Sequence, residues 1–189
     1  FAGSAYGANA AVTVGGTGSS GTANSVANAT GKISTVNITA GGTDYTTGTT
    51  TLDIAAPAAI SFNALSAVSN TDEVITLSDA SFIEVGDKLT YAVASGNTAV
   101  GGLDDGTQYF VSFANDTVVA LSATQGGANI DLTAGTNETG HTLTGETATA
   151  EATVGGAGIG THAGWVKRTV GTGGRAGRVH YETLVAGSS

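Results

Sequence analysis

Residues 88–122 read KLTYAVASGNTAVGGLDDGTQYFVSFANDTVVALS, and this stretch decides the fold. In Lys88–Ala94, Leu89, Tyr91 and Val93 alternate with small or polar residues. That is the period-two pattern of a strand with one buried face. Gly101-Gly102-Leu103-Asp104-Asp105-Gly106 is a turn-rich loop. Gln108–Ala114 and Thr117–Ser122 then bracket Asn115-Asp116, which fits a tight hairpin. Helical periodicity is absent, and the many glycines oppose helix interiors. The expected fold is all-β.

Working outward, Glu73–Leu77 reads as a strand and Phe82–Asp87 as a turn ending in Gly86-Asp87. Ile130–Thr133 and His141–Thr144 read as short closing strands. Five or six strands at this spacing make residues 61–145 a small β-barrel or β-sandwich module. Pro57 lacks a ladder donor and marks a boundary before it. Residues 1–60 form an N-terminal arm plus a small β-hairpin unit: Ala11–Val14 is a short strand and Gly15–Thr30 a mobile loop. Lys32–Thr39 is a strand, Ala40–Asp44 a turn, and Thr49–Ile54 the return strand. Residues 146–189 comprise an extended connector at 146–160 and a basic, Trp-containing docking tail. In that tail Trp165–Val170 and Arg178–Val185 are strands on either side of Gly171–Gly177. They pair with each other or add to another chain's sheet edge. The fold expectation is thus small β-barrel or β-sandwich modules with extended Gly/Ala/Thr-rich arms.

Composition explains why the modules are small. Of 189 residues, 31 are Ala, 31 Thr and 30 Gly. Leu, Ile, Val and Phe number 39, which sits near the threshold of about 20% for disordered, highly charged chains. Charged residues are only 11%, so self-repulsion does not hold the chain open. The chain reads as folded but thin-cored. Cys is absent, which excludes disulfides, thiolate metal sites and cysteine nucleophiles. No apolar run approaches the ~18 residues of a membrane-spanning helix, so no membrane partner is expected. Met is absent even at position 1, and no signal peptide is evident, so the chain reads as a processed or trimmed form.

Charge is unevenly placed. Residues 1–160 hold Lys32 and Lys88 against 14 acids, a net of −12. Residues 161–189 hold Lys167, Arg168, Arg175 and Arg178 against Glu182, a net of +3. So acidic a body argues against nucleic acid as a partner. The basic segment is either a solvated surface or a tail that docks on an acidic partner, a second copy included. Trp165, the only Trp, is either a core residue or an interface anchor.

Motifs for chemistry are weak throughout. His141, His162 and His180 are far apart and lack zinc-site spacing, so surface or hydrogen-bonded histidine is the better reading. Asp104-Asp105-Gly106 lacks the spaced ligands of a calcium loop and reads as a turn. Gly171–Gly177 lacks the ending of a phosphate loop. Asp72-Glu73 and Asp104-Asp105 are adjacent pairs, which in a strand point to opposite faces. No nucleophile elbow occurs. The expectation is a non-enzyme without metal or cofactor. Four N-x-T sequons, at Asn28, Asn37, Asn115 and Asn137, are expected by chance among 31 Thr.

Three stretches carry a resemblance. In GKISTVNITAGGTDYT, Gly31, Ile33, Val36, Ile38, Gly41, Gly42, Tyr45 and Thr46 match a β unit recurring in phage structural and tail-associated proteins, without its usual following Pro. Gly86-Asp87, Tyr91, Gly101-Gly102-Leu103, Asp105-Gly106, Tyr109-Phe110-Val111, Thr117 and Leu121 are similar to a module of phage fibres and bacterial adhesins. The ending HAGWVKRTVGTGGRAGRVHYETLVA resembles the C-terminus of virion proteins from marine T4-like bacteriophages, cyanophages especially. These resemblances imply a viral structural protein on the outer surface of the virion. A capsid decoration protein is the leading form. It would dock on the major capsid protein or on copies of itself, with a trimer as the default homo-oligomer, through Trp165, Lys167, Arg168, Arg175, Arg178 and Tyr181. A tail or fibre component that binds host glycans is the alternative, with Tyr91, Tyr109 and Phe110 as candidate sugar contacts that equally fit a core; a bacterial adhesin-type surface protein is a third.

Overall fold

A computed structural model describes residues 1–46, 48–152, 154–155, 158–159, 166–169 and 179–182. Among them there is no helix, and hence none long and apolar enough to cross a membrane. The protein is all-β, built on two curled antiparallel sheets.

The strands are β1 (Ala11–Gly15), β2 (Thr22–Ala27), β3 (Ile33–Ala40), β4 (Thr51–Ile54), β5 (Ile60–Phe62), β6 (Val68–Ser69), β7 (Val74–Thr76) and β8 (Lys88–Val93). They continue with β9 (Gln108–Ala114), β10 (Val118–Ser122), β11 (His141–Gly145), β12 (Val154–Gly155), β13 (Gly158–Ile159), β14 (Val166–Thr169) and β15 (Val179–Glu182). The first sheet has the order β3-β2-β1-β4 and the second the order β5-β11-β8-β9-β10-β7-β6. β12 pairs with β13, and β14 with β15.

The chain divides into two compact units, and the division does not follow chain order. One comprises Phe1–Ala10, Val26–Ser34 and Ala55–Ala148; the other comprises Ala11–Ser25, Thr35–Ile54 and Thr149–Ser189.

The larger unit holds the seven-stranded sheet. Alternation in β8 buries Leu89 and Tyr91, and in β11 it buries His141 and Leu143. Ile75, Val111, Val119, Leu121 and Leu132 complete the centre of this core. The β9–β10 hairpin forms because the Asn115 carboxamide oxygen accepts the N–H groups of Thr117 and Val118 at 2.9 and 2.7 Å. This side-chain turn mimics a backbone one. A bulge between Ala120 and Leu121 then breaks the alternation, so Val119 to Ser122 are all buried. Ile130–Thr133, expected as a strand, instead makes only isolated bridges around it: Asn129 with Ser122, and Thr133 with Gly101. The Glu73 carboxylate takes the Leu132 N–H, so one side chain holds what a full ladder would otherwise hold. Gly31 has a φ of +68°, and a Cβ there would meet the Phe82 carbonyl oxygen at 2.0 Å. Only glycine allows so close an approach of the two backbones.

The smaller unit clusters Ile38, Tyr45 and Leu52, with Val12, Val14, Ala23, Ala150 and Ala152 packed partly buried against them. Two expectations are corrected here. Residues 15–30 are not a loop throughout, because Thr22–Ala27 forms β2 between β1 and β3. β3 and β4 are not a hairpin either: they lie at opposite edges of their sheet, and β4 pairs with β1 from Val12↔Ile54 to Gly15↔Thr51. The physical reason lies in residues 43–46, which bond to residues 17–21. Thr43 and Ser19 exchange backbone hydrogen bonds of 3.0 Å, and Gly21 N–H donates to the Tyr45 hydroxyl at 3.1 Å. A Cβ on Gly42, whose φ is +64°, would lie 2.3 Å from the Ser19 carbonyl oxygen. The segment therefore lies along residues 18–21, and β2 takes the partner position beside β3.

Candidate functional site

The docking residues expected from sequence fall into two groups. Lys167, Arg168 and Tyr181 stand on an antiparallel ladder that pairs Lys167 with Tyr181 and Arg168 with His180. Trp165, Arg175 and Arg178 lie outside the described residues. The two tail strands do pair with each other.

Of the two readings of the candidate aromatics, sugar contact or core, the structure gives core for Tyr91 and Tyr109. Tyr91 is fully buried and Tyr109 is 5% exposed, so neither offers a ring to solvent. Their hydroxyls serve the fold: Tyr109 accepts Asp104 N–H at 2.8 Å and Tyr91 accepts Val100 N–H at 3.0 Å. Phe110 is half-buried, with the Lys88 ammonium 5.5 Å from its ring centre. Lys88 also pairs with Glu146 at 3.2 Å.

Asp104-Asp105-Gly106 is a turn. Thr107 N–H donates to the Asp104 carbonyl at 3.2 Å, Gly106 N–H to the Tyr91 carbonyl at 2.9 Å, and the Asp105 carboxylate accepts Val93 N–H at 2.8 Å. Asp72 bonds Ser69, while Glu73 reaches Leu132, so that pair shares no site. Among the described residues no three His, Asp or Glu side chains converge on a metal position.

His141 is buried and hydrogen-bonded. Its Nδ1 shares a 2.8 Å bond with the Tyr91 hydroxyl, and Phe62 lies 5.8 Å away, ring centre to ring centre. Because that hydroxyl already accepts Val100 N–H, the simplest assignment has it donate to Nδ1, leaving the ring proton on Nε2. Nε2 has no hydrogen-bond partner among the described residues. Burial pushes the imidazole pKa down and, dominating the Val100 hydrogen bond, pushes the Tyr91 phenol up. Both groups are neutral at pH 7, and the pair acts as an internal brace.

The larger unit also carries an open cleft of about 540 Å³ that no single sequence stretch announced. Three segments meet there: Tyr6–Asn9, Ala27–Ala29 and 79–82, the last by way of Asp79, Ser81 and Phe82. The Asn9 carboxamide oxygen accepts Ala27 N–H at 2.8 Å. The Asn28 oxygen accepts the N–H and hydroxyl of Thr30 and the N–H of Lys32 at 3.1, 3.0 and 2.9 Å. One Asp79 oxygen accepts the hydroxyl and N–H of Ser81 at 2.7 and 2.9 Å, and these bonds, the hydroxyl first, hold the carboxyl below its ordinary pKa. Lys32, at the end of the Asn28 turn, forms an ion pair with the 7%-exposed Asp87 and so ties this segment to the 84–87 turn. The local signals were present as Asn28-x-Thr30 and Asp79-x-Ser81, both side-chain-turn spacings. Compared with protein-family models, curated proteins and solved structures, the chain matches none.

Proposed function

We propose that the protein is a non-enzymatic virion structural protein, a capsid decoration protein held on the particle surface by its basic C-terminal segment. The observation that carries this reading is the charge partition: −12 over residues 1–160 and +3 over residues 161–189. Such a chain can place a basic strand pair on an acidic surface, whether the major capsid protein or a second copy. The β14–β15 pairing agrees with this use, because it makes the basic segment a ladder that carries Lys167 and Arg168 together. The resemblance of the ending to marine phage virion proteins supports the same reading. Many weak contacts repeated over one shell would bind by avidity.

The experiment is immunogold electron microscopy of phage particles, with antibody to this chain. Dense label over the head supports decoration. Label confined to a few sites on the tail, or to the host surface, overturns it. Binding of the purified chain to undecorated heads should weaken with salt, since exposed ion pairs are screened. The double variant Lys167→Glu/Arg168→Glu should weaken it further, and salt-independent binding would remove the electrostatic mechanism.

A further inference from the structure

We propose that the cleft formed by Tyr6–Asn9, Ala27–Ala29 and the Asp79–Phe82 turn is a binding site for a neutral saccharide. Its volume, about 540 Å³, lies within the usual range of small-molecule sites, roughly 300–1,000 Å³.

The polar groups on its wall are fixed, and each is fixed through one atom only. Asn9 and Asn28 spend their carboxamide oxygens on backbone N–H groups. What each amide has left to offer is its NH₂, a double donor. Asp79 spends one oxygen on Ser81 and has the other left as a charged acceptor. Two donors and one acceptor thus stand around one cleft, and their orientation does not have to be ordered on binding. Vicinal sugar hydroxyls, each both donor and acceptor, are the chemistry that pairs with such a set.

The apolar wall fits the same ligand. Phe82 is half-buried and lines the cleft. Gly7 lies against it, and a Cβ there would come within 3.0 Å of the ring. The glycine lets the backbone pack directly against that side of the ring, which fixes the ring as a cleft wall. The electron-rich face of an aromatic ring attracts the positive C–H edge of a ligand. Tyr6 stands behind with its hydroxyl used by the Ala55 carbonyl and Ala148 N–H, so it is wall rather than recognition group.

Charge decides between ligand classes. Among the described residues no Lys, Arg or His lines the cleft, and the one titratable carboxyl lining it, that of Asp79, is held ionised. Phosphates and acidic sugars are disfavoured there, and a single carboxylate is a poor cation site.

The test is an amide chemical-shift titration of the full chain with galactose, N-acetylglucosamine, cellobiose and maltose, with N-acetylneuraminic acid as the acidic control. At least one neutral sugar should shift residues in 7–9, 27–29 and 79–82, with a dissociation constant on the order of 1 mM. Ala8→Trp and Ala29→Trp place bulk on exposed lining positions without touching the polar network. Each should weaken binding about tenfold or more while the spectrum and melting temperature stay those of the parent. No response to any neutral sugar overturns the proposal. So do shifts centred elsewhere, such as on the exposed Phe113, equal binding of the acidic sugar, or folded Trp variants that bind like the parent.

Discussion

The two compact units spend the same small-residue alphabet differently. The larger gathers a continuous cluster that includes Phe62, Ile75, Leu89, Tyr91, Leu121 and Leu143, several of them fully buried. The smaller is centred on Ile38, Tyr45 and Leu52, backed by partly buried Ala and Val. A chain nearly half Ala, Thr and Gly is therefore not uniformly thin: its large apolar residues are concentrated where one sheet curls over them. In the smaller unit hydroxyl and backbone bonds fill in. Examples are Thr22 with Thr39 at 2.7 Å, Thr17 with Thr46 at 2.9 Å, and Tyr45 with Gly21. The two threonine pairs are exposed and contribute little each, because water competes for both partners. The larger unit should accordingly set global stability, and the smaller should open first.

The largest expected effect comes from cutting the larger core. Leu143 is fully buried on β11, paired with Ile60 on one side and Tyr91 on the other. Leu143→Ala should cost about 3 kcal/mol in urea unfolding, the transfer and cavity terms together. The matched change Leu52→Ala should cost about 2 kcal/mol, the low end for such sites. Its loss of hydrogen-exchange protection should be confined to β1 and β4, with β8–β11 unchanged. Equal costs, or protection lost across both units, would remove the contrast.

Between those two stands the Lys32–Asp87 pair. Asp87 is 7% exposed and also accepts Glu84 N–H, so it has one other polar contact once the lysine is gone. Lys32→Met should cost about 2–3 kcal/mol, because it strands a buried carboxylate. The double variant Lys32→Met/Asp87→Leu should recover much of that loss. No recovery would mean that the residues stabilise the turn separately.

The contrast between units also marks what the sequence made legible. β8 and β9 could be read because large apolar residues alternate along them, and β10 because Asn115 closes its hairpin with β9. β2 could not: TANSVA has one large residue, Val26, and that is 40% exposed, while the buried position is Ser25. The wrong partner for β4 has a different cause. Local pattern finds strands, but the order β3-β2-β1-β4 depends on Thr43 and Tyr45 bonding to Ser19 and Gly21, which no period reports. The same holds for the cleft. Asn28-x-Thr30 and Asp79-x-Ser81 are each visible as turns, but their approach to Asn9 is made by the fold. The tail strands could pair with each other or add to another chain's edge on sequence grounds, and the pairing of β14 with β15 is the one the structure shows.

The smallest expected effect belongs to His141, and it sharpens the comparison by acting on the larger unit alone. Burial lowers the imidazole pKa from its ordinary 6.5. The unfolded chain therefore binds a proton at a higher pH than the folded one, and the native state gains stability as pH rises through that window. The contribution is complete above about pH 6.5 and is lost progressively as pH falls toward the lowered folded value. Tyr91 is the titratable group bonded to the ring, and its raised pKa keeps it neutral throughout that range. His141→Gln removes the titration. Its unfolding free energy should vary less than the parent's between about pH 5 and 7, with the difference traced to β8 and β11 by hydrogen exchange. His162 and His180 are common to both chains, so the difference between the two pH profiles isolates His141. Parallel profiles would show that the brace between Tyr91 and His141 carries no linkage to folding.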